Sequence, residues 1–134
     1  MVEYLISFVI PCYRSENTIN FVLDEIIRTV EMKSEYTYEI ITVNDCSPDH
    51  VLSVLKKRAQ EDKRIKVIDI AKNMGKHAAL MAGYHYTSGE IVVCADDDGQ
   101  CPVDHLWELL NPIFGEFDVS IAKYGKKQQT FFRN

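Results

Sequence analysis

No glycine occurs in the loop after the first apolar run. That loop, PCYRSEN, offers neither the G-x-G-x-x-G turn of dinucleotide folds nor the G-x-x-x-x-G-K-[ST] of P-loops. Phosphate is therefore not cradled on the first helix. Positive charge is also short: the formal net charge is -5, which gives no electrostatic reason to approach nucleic acid and leaves any bound phosphate in need of local help. The four cysteines, Cys12, Cys46, Cys94 and Cys101, form no C-x-x-C pair, and His77, His85 and His105 add no zinc-ligand spacing. Reduced thiols in a cytoplasmic protein are the expectation. No apolar run reaches the about 20 residues that span a bilayer, and the first residues, MVEYLISFVIP, lack a basic region and a small-residue cleavage site, so they read as a strand rather than a signal peptide. Internal repeats, low-complexity tracts and linkers are missing too, and 134 residues leave room for one domain.

What remains is a globular composition, 46% hydrophobic and 26% charged, with apolar residues that change period along the chain. Leu5 to Ile10 is a continuous apolar run ended by Pro11, and Ile19, Val22, Leu23, Ile26, Ile27 and Val30 then recur at helical spacing. Tyr38 to Val43 reads as a second strand. SPDHVLSVLKKRAQ opens a helix, with Ser47 as cap, Pro48 at the first helical position and Asp49 at the positive end of the dipole. Ile65 to Ile70 is a third strand, GKHAALMAGYHY a short helix, Glu90 to Ala95 a fourth strand, Val103 to Leu110 a helix after Pro102, and Asp118 to Ala122 a fifth strand. Alternating elements with continuously apolar strands predict an α/β fold, a mostly parallel Rossmann-like sheet with helices on both faces. Ligands of such sheets bind beyond the carboxyl ends of the strands, which directs attention to the loops after strands one, two and four.

The second of these loops begins VNDCSPD. Asp45 there either accepts a hydrogen bond from a base or ribose or caps the following turn. The fourth strand runs into DDDGQ. Three adjacent anions at the end of a buried strand cost stability unless a cation or a set of donors compensates. Carboxylate oxygens suit Mg²⁺ or Mn²⁺, which bridge one or two carboxylates to substrate phosphates. If strand geometry continues, Asp96 and Asp98 share a side and Asp97 is opposite, so an Asp-x-Asp pair would hold the metal; a solvated acidic loop is the other reading.

The segments FVIPCYRSENTI, VNDCSPD, KNMGKHAALMAGYHYTSGEIVVCADDDGQCP and DVSIAK together resemble the N-terminal half of family 2 glycosyltransferases, over essentially the whole chain. NMGKHAALMAG followed by D-x-D-x-Q-x-P is most similar to the branch that uses dolichyl and undecaprenyl phosphate. The resemblance implies that residues 1–134 are the nucleotide-sugar-binding, N-terminal part of a glycosyltransferase A-type fold. It implies an inverting transfer from a UDP- or GDP-type sugar to a lipid phosphate or a glycan. It places Pro11, Tyr13, Glu16, Asp45, Gly75, Lys76, Asp96 and Asp97 at the nucleotide and Asp96, Asp98 and Gln100 at the metal. Two departures stand out: Asn44-Asp45-Cys46-Ser47 replaces the usual Asp-Asp-Gly-Ser, and the middle residue of Asp-x-Asp is itself Asp97.

By the same resemblance the general base lies beyond residue 134, with the acceptor region and any membrane helices of a longer protein. The chain alone is then expected to bind donor without transferring sugar, and the full-length enzyme to work at the cytoplasmic face of a membrane. A phosphoacceptor signalling module is a competing class. It wants an acidic pair after strand one, where only Glu16 is available, and a lysine after strand five, which Lys123 would supply. A non-catalytic nucleotide-binding module is the third.

Overall fold

Strands β1 (Tyr4–Cys12), β2 (Tyr36–Asp45), β3 (Ile65–Ile70) and β4 (Ile91–Cys94) pair in parallel in the order β3-β2-β1-β4. The computed structural model describes residues 3–120. Register is set by the apolar runs: Phe8 lies opposite Ile40 and Val93, and Ile40 opposite Ile65. Period-two alternation then splits the core into two layers. Ile6, Phe8, Ile10, Tyr38 and Ile40 pack under helices α1 (Ile19–Glu31), α2 (Val51–Glu61) and α4 (Leu106–Phe114). Val9, Ile41 and Val43 face α3 (Lys76–Tyr84) on the other side. The doubly covered parallel sheet expected from the sequence is the one found.

Several boundaries move. β1 continues through Pro11, which pairs with Val43. Its missing N–H costs nothing, because Pro11 alternates with Val9 toward the β4 side, and pairing with β4 ends at Val9 and Cys94. Helix α2 begins at Val51 rather than at Pro48, because Ser47 does not cap it. Asp49 instead accepts from the Val51 amide at 3.2 Å, while the Ser47 hydroxyl donates to Asp49 at 2.6 Å. The helix after Pro102 starts as a 3-10 turn, Val103–His105, and runs on to Phe114 with Pro112 inside it. Asp118, Val119 and Ser120 form no strand; the rest of the expected fifth strand, and Lys123, lie outside the described residues.

Close packing of α3 depends on small residues. A Cβ at Gly83 would collide with Val9 Cγ1 and come within 3.1 Å of Val43 Cγ2. Both valines are buried and stiff at χ1, so they yield little. Gly83→Val is expected to destabilise the fold by about 1–3 kcal/mol through overpacking, read as a lower urea midpoint at unchanged slope. Gly83→Ala would understate the clash, since alanine gains helix propensity. Among the described residues no helix is long and apolar enough to cross a membrane.

Candidate functional site

β2 and β3 lie to one side of β1 and β4 to the other, so the chain leaves the neighbouring ends of β1 and β4 in opposite directions. A crevice opens at such a switch point. Here it is a cleft of about 630 Å³ lined by Pro11, Cys12, Tyr13, Asp45, Asn73, Gly75, Lys76, Asp96, Asp97 and Asp98. The loops after β1, β2 and β4 and the start of α3 therefore meet at one place. Glu16 and Gln100 are not among the lining residues: the Glu16 carboxylate sits 3.5 Å from His50 Nδ1, and the Gln100 amide donates to Asp98 at 3.0 Å.

Two of these loops hold non-glycine residues in the left-handed region, Arg14 (φ 57°), two residues past β1, and Cys46 (φ 51°), the first past β2. Such backbone costs of order 1 kcal/mol per residue and persists only where partners impose it. The Arg14 amide is held by Ser47 Oγ at 2.7 Å and the Glu16 amide by Asp49 at 3.1 Å, so the first loop is tied to the second.

Asp45, at the end of β2, is almost fully buried. Its two oxygens accept from the amides of Met74 and Gly75 at 2.8 and 2.9 Å, and Asn73 Nδ2 donates to its carbonyl at 3.1 Å. The carboxylate thus clamps the turn that opens α3, where Gly75 takes φ 91°, a conformation that side chains resist. Each oxygen keeps a second acceptor direction, so the clamp leaves room for one more donor in the cleft. Asn73 and Cys12 join the cleft without a motif position that marks them, although Asn73 stands three residues before Lys76 in the NMGKHAALMAG segment.

The clamp delivers Lys76, whose Nζ reaches Asp96 Oδ1 at 2.6 Å across the cleft. Partial burial works against the Lys76 charge, but the bond to Asp96 and that carboxylate's charge outweigh it and raise the pKa. Asp97 turns back toward β1 and accepts from the Tyr13 amide at 2.9 Å, while its carbonyl takes the Thr18 hydroxyl at 2.6 Å. Burial, with Asp98 beside it, pushes the Asp97 carboxyl above its ordinary value. Burial also pushes the Cys12 thiol far up, with Asp97 adding to it, so Cys12 is no nucleophile.

Asp96 and Asp98 both line the cleft, but among the described residues no group of three His, Cys, Asp or Glu side chains converges to hold a metal. Of the expected set, Asp96 and Asp98 line the cleft and Gln100 does not. Two hard-oxygen carboxylates nonetheless fit Mg²⁺ or Mn²⁺ binding in which substrate phosphate and water complete the shell.

The model of the family "Glycosyl transferase family 2" matches residues 7–134. Among curated proteins the chain is 33% identical over 135 residues to the putative glycosyltransferase CsbB of Bacillus subtilis, covering 100% of this chain and 40% of that protein. It is 35% identical over 111 residues to the dolichyl-phosphate beta-glucosyltransferase ALG5C of Trichomonas vaginalis, covering 80% and 33%. It is 31% identical over 129 residues to the undecaprenyl-phosphate 4-deoxy-4-formamido-L-arabinose transferase of Proteus mirabilis, covering 96% and 39%. The chain thus spans between 33% and 40% of the length of these relatives. Of solved structures, the mannosyltransferase PcManGT from Pyrobaculum calidifontis, in complex with GDP-Man and Mn2+, superposes with a TM-score of 0.72 at 20% identity, covering 92% of this chain and 37% of that one. S. aureus TarS 1-349 in complex with UDP-GlcNAc does so with 0.65 at 22%, covering 87% and 32%. At those identities the likeness is one of fold.

Proposed function

The chain belongs to glycosyl transferase family 2, and from that premise we propose that it is the donor-binding part of a metal-dependent inverting glycosyltransferase that moves a sugar from a nucleoside diphosphate to a polyprenyl phosphate. Family membership sets aside the phosphoacceptor module. The observation that carries the proposal is the meeting of Asp96, Asp98 and Lys76 in one cleft at the switch point of the sheet. Relatives named for dolichyl phosphate and undecaprenyl phosphate support the acceptor class.

In this proposal Asp96 and Asp98 hold a divalent cation, which when bound neutralises charge on the departing diphosphate. Lys76 contributes a second positive charge on the same side. Asp45 keeps the turn before α3 in place and presents its remaining acceptor directions to the base. Pro11 and Tyr13 wall the nucleoside side. A phosphate acceptor is already ionised and needs little help from a base. The cytoplasmic face of a membrane, and any anchor in a longer protein, belong to the same proposal.

Metal dependence is the test. A panel of UDP, GDP, dTDP and their sugars is expected to raise the thermal midpoint with Mn²⁺ and not with chelator, because a ligand of the folded state stabilises by mass action. Equal shifts with and without metal would overturn the proposal.

A further inference from the structure

The shortest contact between charged side chains in the cleft joins the lysine of α3 to a carboxylate assigned above to the metal. Lys76 Nζ lies 2.6 Å from Asp96 Oδ1, the Lys76 side chain 65% exposed and that of Asp96 19%. The two residues are 20 apart in sequence, one opening α3 and the other in the loop after β4. The pair spans the gap between β4 and α3 where the diphosphate is placed. Asp96 therefore does not stand empty in the free protein: it already has a cation.

We propose that Lys76 is the resident countercation of Asp96 in the free protein and must leave it for the diphosphate before Asp96 can serve a divalent cation, so that cation and nucleotide bind as an interdependent pair. The inference rests on the proposed donor site. A divalent cation arriving alone has to displace an ammonium held by a charge-assisted hydrogen bond, and the displaced ammonium then faces a like charge with no new partner. A nucleoside diphosphate supplies that partner. The partly exposed, four-carbon lysine stem can make the exchange without moving α3, whose first turn stays fixed by Asp45 on the amides of Met74 and Gly75. Three acids in a row are also tolerable in the free state, since Asp96 is paired with Lys76, Asp97 with the Tyr13 amide and Asp98 with the Gln100 amide. The site is held closed to bare metal.

Coupling of two ligands is reciprocal and measurable. Mn²⁺ binding to the 134-residue chain would be followed by electron paramagnetic resonance, with and without GDP or UDP, for wild type, Lys76→Gln and Arg14→Gln. Arg14 stacks on Tyr13 at the nucleoside side of the cleft, so its loss controls for simple removal of positive charge. Lys76→Gln is expected to bind Mn²⁺ alone about tenfold or more tighter than wild type, and to lose most of the cooperativity with diphosphate. Arg14→Gln should change either by less than about threefold. With Mg²⁺ in place of Mn²⁺, the Lys76 ammonium resonance should shift only when diphosphate is added too. Unchanged affinity for Mn²⁺ alone in Lys76→Gln, or an equal gain in Arg14→Gln, would overturn the inference. Absence of any diphosphate-dependent Mn²⁺ binding in wild type would instead remove the donor-site proposal beneath it.

Discussion

Glu39→Ala is expected to lower stability by about 3–5 kcal/mol, the usual cost of breaking a buried charge network by removing one member. Glu39 lies within β2 and is only 4% exposed. Its carboxylate accepts from Ser7 Oγ at 2.5 Å, from Lys66 Nζ at 3.0 Å, and from the Ser88 amide and hydroxyl at 2.6 and 3.0 Å. Ser7 in turn accepts the Gly89 amide at 2.8 Å. One side chain thus binds β1, β2, β3 and the turn that leads into β4. Burial alone would raise the Glu39 pKa; the bonds from Ser7, Ser88 and Lys66 overcome it and hold the group down to about 2, from an ordinary value of 4.5.

The sign follows from linkage. A depressed folded-state pKa contributes stability that is complete above the unfolded value near 4.5 and is lost as pH falls toward 2. The amount is about 3 kcal/mol at 1.36 kcal/mol per unit. Urea melts of wild type should show stability falling steeply below pH 4.5, and Glu39→Gln should flatten that fall while starting about 2–3 kcal/mol lower at pH 7. A variant as acid-sensitive as wild type would place the acid transition on other carboxylates.

The second large effect is expected at Asp45, in both stability and binding. Replacing it with alanine strips two amides, Met74 and Gly75, of a charged acceptor. The loss should be about 2–4 kcal/mol, since hydrogen bonds to charged groups contribute more than neutral ones. The turn before α3 then loosens and Lys76 loses its fixed approach to Asp96. Nucleoside diphosphate affinity should fall by more than affinity for the bare nucleoside, by roughly another tenfold, because the diphosphate loses Lys76 as well. A contact to the base alone would weaken both equally. Calorimetry on Asp45→Ala, Lys76→Gln and the double variant decides it: the excess loss should vanish in the Lys76→Gln background, as coupled residues are not additive.

Much of this molecule is carried by local pattern. The helical spacing of Ile19, Val22, Leu23, Ile26, Ile27 and Val30 marks the face that α1 buries: all but Ile27 are buried, and Ile27 is half-buried against the same core. Continuous apolar strands alternating with helices leave a parallel sheet covered on both faces as the compact solution, and the switch point of that sheet places the ligand loops. The Asp-x-Asp sequence and the family motifs are short, contiguous strings, legible without a structure. The start of α2 is not legible in the same way: Ser47, Pro48 and Asp49 all suit a helix start, and it is Asp49, tied also to the Glu16 amide, that accepts from the Val51 amide.

Only the tertiary structure could decide the partners. Glu39 is a single charge inside YEIITV, and period two gives it a face without saying whether that face is wet; register against Ser7 and the return of Ser88 make it buried. Asp45 and Gly75 are 30 residues apart, so nothing local tells a base contact from a loop clamp. Lys76 at the start of α3 and Asp96 in the loop after β4 are unrelated charges until parallel pairing of β4 with β1 and docking of α3 on β1 and β2 bring them to 2.6 Å. Hydrophobic period is written in each segment, whereas which charge answers which is a property of crossovers, and sequence spacing does not encode distance across them.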